Sequence, residues 1–263
     1  MYSKLSQSKI DNTKASGIIG SKVMYFDTLT STFDKIRTLP DSCGLTVVCS
    51  HQSAGVGRMG RTWESSEGGV YFTFSLTHSR SDFEIPFITA VCALGVCNIL
   101  NDYIPCEIKW PNDIVSGGRK LCGILTKNLV ADGSVTILVG IGINANNSFS
   151  DSLPYAASVA GISGNAVDEN RLLRDVLNEI DRIYYTMPQD EILAAYKANC
   201  INLGKEVTLD FGSRAEKGIC TDIMPDGSME YETDGVRHIV FSGEVSVKGI
   251  YTGKEQHNEI TDI

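Results

Sequence analysis

Residues 109–125 read KWPNDIVSGGRKLCGIL, from Lys109 to Leu125. Periodicity makes strands of Glu107 to Trp110 and Lys120 to Asn128, joined through a Trp-Pro turn and a Gly-Gly turn. The segment therefore places Lys109, Asn112, Asp113 and Lys120 on one short hairpin. Read plainly, it is a charged β-hairpin, since Pro-Asn-Asp is good turn chemistry. Read chemically, two lysines and a carboxylate suit work on phosphates. Asp113 could hold Mg²⁺ or orient a lysine, and Lys120 could neutralise a carboxylate or an α-phosphate.

Moving outward, Val135 to Ile143 forms the next strand, joined to the last through the turn residues Ala131, Asp132 and Gly133. It ends in Gly140-Ile141-Gly142-Ile143-Asn144, and two glycines in a buried strand suggest that something approaches the backbone closely. Upstream, Val70, Phe72, Phe74 and Leu76 alternate as a strand before a helix from Ile85 to Leu100. A strand near Lys22 to Phe26, a helix from about Ser31 to Leu39 and a strand at Leu45 to Ser50 precede these. Downstream, Leu172, Leu173, Val176, Leu177, Ile180, Ile183 and Tyr184 form one helical stripe behind an N-cap at Asp168, and a second helix runs from about Asp190 to Cys200. After Gly204 the pattern changes to short β segments at 207–211, 218–223, 229–232, 236–241 and 245–250, with turns at Asp226-Gly227 and Asp234-Gly235.

Ser50 to Trp63, SHQSAGVGRMGRTW, follows an apolar strand and alternates Gly55, Gly57 and Gly60 with Arg58 and Arg61. Such a loop can bring backbone N–H groups and guanidinium forks close to a phosphate. It is neither G-x-G-x-x-G opening a helix nor G-x-x-x-x-G-K-[ST], so Rossmann and P-loop readings both fail. A surface Gly-rich hairpin with solvated arginines is the plainer alternative.

A net charge of −9 in 263 residues repels a phosphate backbone, so no nucleic-acid partner is expected. The eight cysteines include no C-x-x-C pair and read as reduced, buried thiols of a cytoplasmic protein. The four histidines lack metal-ligand spacing, so no zinc site is expected. The stretch from Ile85 to Asn101 is too short and too polar for a membrane span. The first residues, MYSKLSQSKIDNTKASG, lack the apolar core of a signal peptide. Their Lys and Ser content leaves a transit-peptide reading open, but a flexible tail over 1–20 is preferred.

Taken together, Ser31-Thr32, GVGRMGRTW, KWPNDI, GRKLCGIL, GIGIN and GEVSV, in this order, resemble the biotin protein ligase family in a short form without an N-terminal DNA-binding domain. The resemblance implies an α+β fold: a mixed, largely antiparallel sheet backed by helices, followed by a small SH3-like β-barrel. It implies a catalytic domain over 21–203, a C-terminal domain over 204–252 and a second flexible tail over 253–263. It also implies ATP, biotin and Mg²⁺, with biotinyl-5'-AMP formed first and biotin then passed to a lysine of a carboxylase's biotin-accepting domain. A monomer and a homodimer are both compatible.

By position, the resemblance places Ser31, Thr32, Gln52, Gly55, Gly57, Trp63, Gly123 and Gly142 around biotin, with Trp63 against its alkyl chain. Arg61, Lys109, Asn112 and Asn144 fall near the nucleotide, and Asp113 near Mg²⁺. Arg58 and Lys120 serve both ligands, and Lys120, Arg58 and Asp113 carry catalysis. Val56 stands where the family usually has Arg, and Phe33 where it usually has Asn. Losing one charge-assisted bond, worth about 1.5–3 kcal/mol, implies looser retention of the adenylate. The nearest rival is a lipoate or octanoate ligase; a rival of another class is a binding module that has lost turnover.

Overall fold

The computed structural model describes residues 4–12, 17–40, 43–77, 85–131, 134–150, 153–211, 214–241, 244–247 and 250. Strand β1 (Lys22–Leu29) leads through helix α2 (Thr32–Ile36) to β2 (Leu45–Val56), which lies parallel to β1. Next come β3 (Thr62–Ser65), β4 (Val70–Thr77), helix α3 (Ile85–Asn101), β5 (Glu107–Lys109), β6 (Asp113–Ser116), β7 (Arg119–Ala131) and β8 (Ser134–Ile143). These strands form one sheet in the order β1-β2-β4-β8-β7-β6-β5, with β3 paired to β2. Every ladder but β1–β2 is antiparallel.

Period-2 alternation divides the side chains between the two faces of this sheet. Val48, Phe72, Ile124, Val139 and Ile141 join the main core with helices α3 and α5 (Glu169–Thr186). Their neighbours Val47, Leu125 and Leu138 join a smaller cluster with Phe33 and Ile36 of α2. The expected stripe of α5, from Leu172 to Tyr184, is buried throughout. Asp168 caps the helix by accepting from the N–H groups of Asn170 and Arg171 at 3.0 and 3.2 Å. Helix α3 is apolar nearly all round because α5, helix α6 (Gln189–Asn199) and the sheet enclose it.

Two expectations are corrected. The segment 109–125 belongs to a three-stranded meander, because Asp113–Ser116 pairs with both Glu107–Lys109 and the start of β7. Ser50–Trp63 is not all loop: β2 continues to Val56 and returns as β3, leaving only the 57–61 tip outside the strands.

The 1–20 stretch was expected to be a flexible tail. Among its described residues, Gln7–Asn12 forms a helix, α1, and Leu5 and Ile10 are buried in the main core. Glu169 Oε2 accepts from the Leu5 N–H at 3.1 Å and Asn170 Oδ1 from the Ser6 N–H at 3.2 Å. Gln7 Oε1 accepts from Tyr25 N–H on the open edge of β1. The ordering comes from side chains of distant elements, so no local pattern could display it.

Past the short helix α4 (Val159–Ser163) and helices α5 and α6, a second sheet begins. It comprises β9 (Glu206–Asp210), β10 (Ala215–Ile223), β11 (Met229–Thr233), β12 (Val236–Val240) and β13 (Glu244–Val247). The strands are antiparallel in the order β12-β11-β10-β9-β13. This is the sheet expected as a small barrel; among the described residues no ladder joins β12 to β13. The turn residues 132–133 and the expected C-terminal tail 253–263 lie outside the described residues. No described helix is long and apolar enough to cross a membrane.

Candidate active site

A cavity of about 790 Å³ opens over β2, β3, β7 and β8, with the KWPND segment on one side and Val245 and Ile250 of the C-terminal sheet on another. One end is polar. Ser31 caps α2 by accepting from the Phe33 N–H at 3.1 Å. Gln52 Oε1 accepts from the Thr32 N–H at 2.8 Å, and Gln52 Nε2 donates to Ser65 Oγ at 2.8 Å. The hydroxyls of Thr32 and Thr73 are 2.9 Å apart. Ser31, Thr32, Ser65 and Thr73 are all buried, so this cluster offers oriented hydroxyl and amide groups in a low-dielectric pocket.

The middle is a slot made by two glycines. Gly123 of β7 faces Gly142 of β8 in the ladder, and Trp63 lies across both. A Cβ on Gly142 would sit 2.4 Å from Trp63 Nε1, and one on Gly123 2.8 Å from Trp63 Cζ3. Only glycine at both positions lets the indole seat on the sheet, which leaves a narrow apolar passage beside the polar end.

The far end carries charge. The β6–β7 ladder steps from Ile114↔Cys122 to Val115↔Lys120, so Leu121 is the extra residue of a β-bulge that re-aims Lys120. The Lys120 backbone is held by Tyr155 O, which accepts its N–H at 2.7 Å, and by the Ala157 N–H, which donates to its carbonyl at 3.0 Å. Its ammonium forms a 2.7 Å ion pair with Asp113 and stands 5.1 Å over the Trp63 ring. Arg58 Nη1 donates to Asn112 Oδ1 at 2.8 Å, and Asn112 Nδ2 donates to Ile124 O at 2.9 Å. Asn144, buried, donates to Lys120 O at 3.2 Å. Behind Lys120, burial pushes the Cys122 thiol well above its ordinary value, so it adds no negative charge to the site.

Gly57, Arg61 and Lys109 also line the cavity. Gly55 does not; it stands behind the wall, where a Cβ would strike Trp63 O at 2.4 Å. Val56 lines the cavity and packs on the apolar cluster that contains Phe33. Sequence reading missed Thr73, Ser65, Tyr155, Val245 and Ile250. Thr73 falls in the polar phase of an alternating strand together with Ser75 and Thr77, so nothing local set it apart, and the others join the site only through tertiary contacts.

Mg²⁺ needs near-octahedral oxygen ligands and usually takes one or two carboxylates with substrate phosphates and waters. The cavity wall offers Asp113 and Glu64, and no cluster of three metal-ligating side chains exists among the described residues. That donor set suits an ion that arrives with a nucleotide and does not suit a resident metal.

Residues 23–144 match the biotin/lipoate A/B protein ligase family. The chain is 33% identical over 192 residues to the bifunctional ligase/repressor BirA of Bacillus subtilis (strain 168), covering 69% of this chain and 59% of that protein. It is 28% identical over 216 residues to a biotin--[acetyl-CoA-carboxylase] ligase of Mycobacterium tuberculosis, covering 78% and 79%. The chain thus spans 59% of the length of the first of these relatives. Among solved structures, the biotin protein ligase from Aquifex aeolicus in complex with biotin and ATP superposes with a TM-score of 0.77 at 27% identity, covering 86% of this chain and 98% of that one. The Leishmania major ligase in complex with biotinyl-5-AMP, at 20% identity and a TM-score of 0.61, shares the fold. The fold is that of these solved ligases, and residues 23–144 carry the match to the biotin/lipoate A/B protein ligase family.

Proposed function

We propose that the chain is a biotin protein ligase, which joins biotin to ATP as biotinyl-5'-AMP and transfers the biotinyl group to a lysine of a carboxylase's biotin-accepting domain. One observation carries this reading: a single cavity runs from a polar end at Thr32, Gln52 and Thr73, past Trp63, to Lys120, Asp113 and Arg58. A polar ring fits the first end, a flexible alkyl chain the glycine slot, and a carboxylate meeting a phosphate the last.

In the first step a biotin carboxylate oxygen attacks the α-phosphorus of ATP. A new P–O bond forms, the bond to the β-phosphate oxygen breaks, and pyrophosphate leaves. Lys120 binds the carboxylate and an α-phosphate oxygen, lowering the repulsion between two anions; Asp113 keeps the ammonium aimed. Arg58, fixed by Asn112, supplies a delocalised cation for the growing phosphate charge. Mg²⁺ bound with ATP would be held by Asp113 and would neutralise phosphate charge. In the second step the acceptor lysine, as a free amine, attacks the acyl carbon, loses a proton and releases AMP.

We assign Arg61, Lys109 and Asn144 to the nucleotide side, and Ser31, Gly57, Gly123 and Gly142 to the biotin side. A cytoplasmic location and action without nucleic acid are part of the same reading, supported by the net charge of −9 and by eight free thiols. The test is ATP–pyrophosphate exchange with biotin, lipoate or octanoate and a Lys120→Ala control. Exchange with biotin, lost in the variant, is the expected result; exchange only with lipoate or octanoate would move the chain to the sister activity of its family.

A further inference from the structure

We propose that Trp110 is a positioning residue that ties the seating of the C-terminal sheet to the geometry of the adenylating end of the cavity, a role that rests on the ligase reading above. Trp110 is buried, and both of its N–H groups are spent on residues beyond the catalytic sheet. Its backbone N–H donates to Asn202 Oδ1 at 2.7 Å, in the linker between α6 and β9. Its indole Nε1–H donates to the carbonyl of Gly227 at 2.9 Å, in the turn between β10 and β11.

That turn is built to present this carbonyl. Asp226 Oδ1 accepts from the N–H and the hydroxyl of Ser228 at 2.9 and 2.6 Å, and the Gly227 N–H donates to Met224 O at 2.9 Å. Gly227 has φ +86°, and a Cβ there would lie 2.6 Å from the Pro86 carbonyl carbon at the start of α3. The turn is thus wedged against α3 with no room for a side chain. Two residues beyond Trp110, Asn112 fixes Arg58, and the next residue, Asp113, pairs with Lys120. The chain between the two anchors is too short to absorb a shift of the indole, so movement of the 224–228 turn must reach both cations. The polar end of the cavity sits on α2, β2, β3 and β4, and among the described residues its hydrogen bonds stay within those elements.

The consequence is selective: loosening the linkage should damage ATP use while sparing biotin. Trp110→Phe keeps the buried ring and removes the indole donor; Gly227→Ala keeps the carbonyl and pushes the turn off α3. Biotin affinity without ATP, by calorimetry, and the KM for ATP in pyrophosphate exchange are measured on both variants and the parent. Trp110→Phe is expected to worsen kcat/KM for ATP by about tenfold, with biotin affinity within about twofold of the parent, and Gly227→Ala to follow the same pattern. If Trp110→Phe uses ATP as the parent does, or both variants lose biotin and ATP affinity to the same extent, the linkage is only structural and the inference is overturned. A parent protein that shows no exchange with any acid would instead remove the ligase reading, and this inference with it.

Discussion

Lys120 Nζ stands 2.7 Å from Asp113 Oδ1. The lysine is about one-third exposed and the aspartate less so, so the pair adds little to stability; its value lies in aim. Replacing Lys120 with Ala should lower biotin-dependent pyrophosphate exchange by on the order of 100- to 1000-fold. Asp113→Asn leaves the charge but not the aim, and a loss of up to about 100-fold in kcat is expected. Exchange kinetics of both variants check this; an unaffected Lys120→Ala would remove Lys120 from the chemistry.

The glycine slot predicts a defect confined to acid binding. Gly142→Ala sets a methyl 2.4 Å from where Trp63 Nε1 now lies, and the indole must leave the sheet. Overpacking of this kind costs about 1–3 kcal/mol, which should appear as a roughly 5- to 150-fold weaker affinity for biotin. Calorimetric titration with biotin measures it, and parent-like affinity would show that Trp63 does not wall the ligand.

Val56 lines the cavity two residues from Arg58. Introducing Val56→Arg should add a charge-assisted contact to the phosphate end and slow dissociation of biotinyl-5'-AMP by about tenfold or more. A dissociation rate equal to the parent's would show that the position does not govern retention.

Burial holds the Glu169 carboxyl above its ordinary value of 4.5, against the opposing hydrogen bonds from Asn146 and the Leu5 N–H. The native state therefore binds more protons than the unfolded chain between the ordinary value and the raised one. Stability from this group is greatest in acid and falls as pH rises through that window. Denaturant titrations of the parent and Glu169→Gln from about pH 4 to about pH 7 should show the parent's advantage shrinking with pH. A pH-independent difference would contradict the assignment.

Cys43 is exposed and the other seven thiols are buried. Burial pushes Cys49 and Cys220 each to about 12 and Cys200 to about 11. Because thiolates are the reactive form, one cysteine should titrate quickly with a thiol reagent in the native protein and the rest only on unfolding.

How much of this could be read from the chain alone depended on how local the cause was. The stripe of α5, its Asp168 cap and the alternation of β4 are periodic and came through. The run from KWPND to KLCGIL put Asp113 and Lys120 on one short segment and GIGIN marked Gly142, because turn chemistry and in-strand glycine carry meaning at short range, whereas Gly123 came only with the family resemblance. The continuation of β2 through Gly55 did not come through, since glycine weakens a strand signal and only the return of β3 reveals the pairing. The bulge at Leu121 and the bond from Trp110 to Gly227 were equally out of reach, being fixed by partners far along the chain.

The bonds from Leu5 and Ser6 to Glu169 and Asn170 each span 164 residues. At about 5–20 residues per second, a ribosome needs on the order of ten to thirty seconds to deliver those partners after it has made the beginning of the chain. For all of that time the edge of β1 can exist only without its final cover, and the first sheet must wait for α5 before it is sealed. The sealing of the first sheet is therefore tied to how long translation takes to reach Glu169 and Asn170.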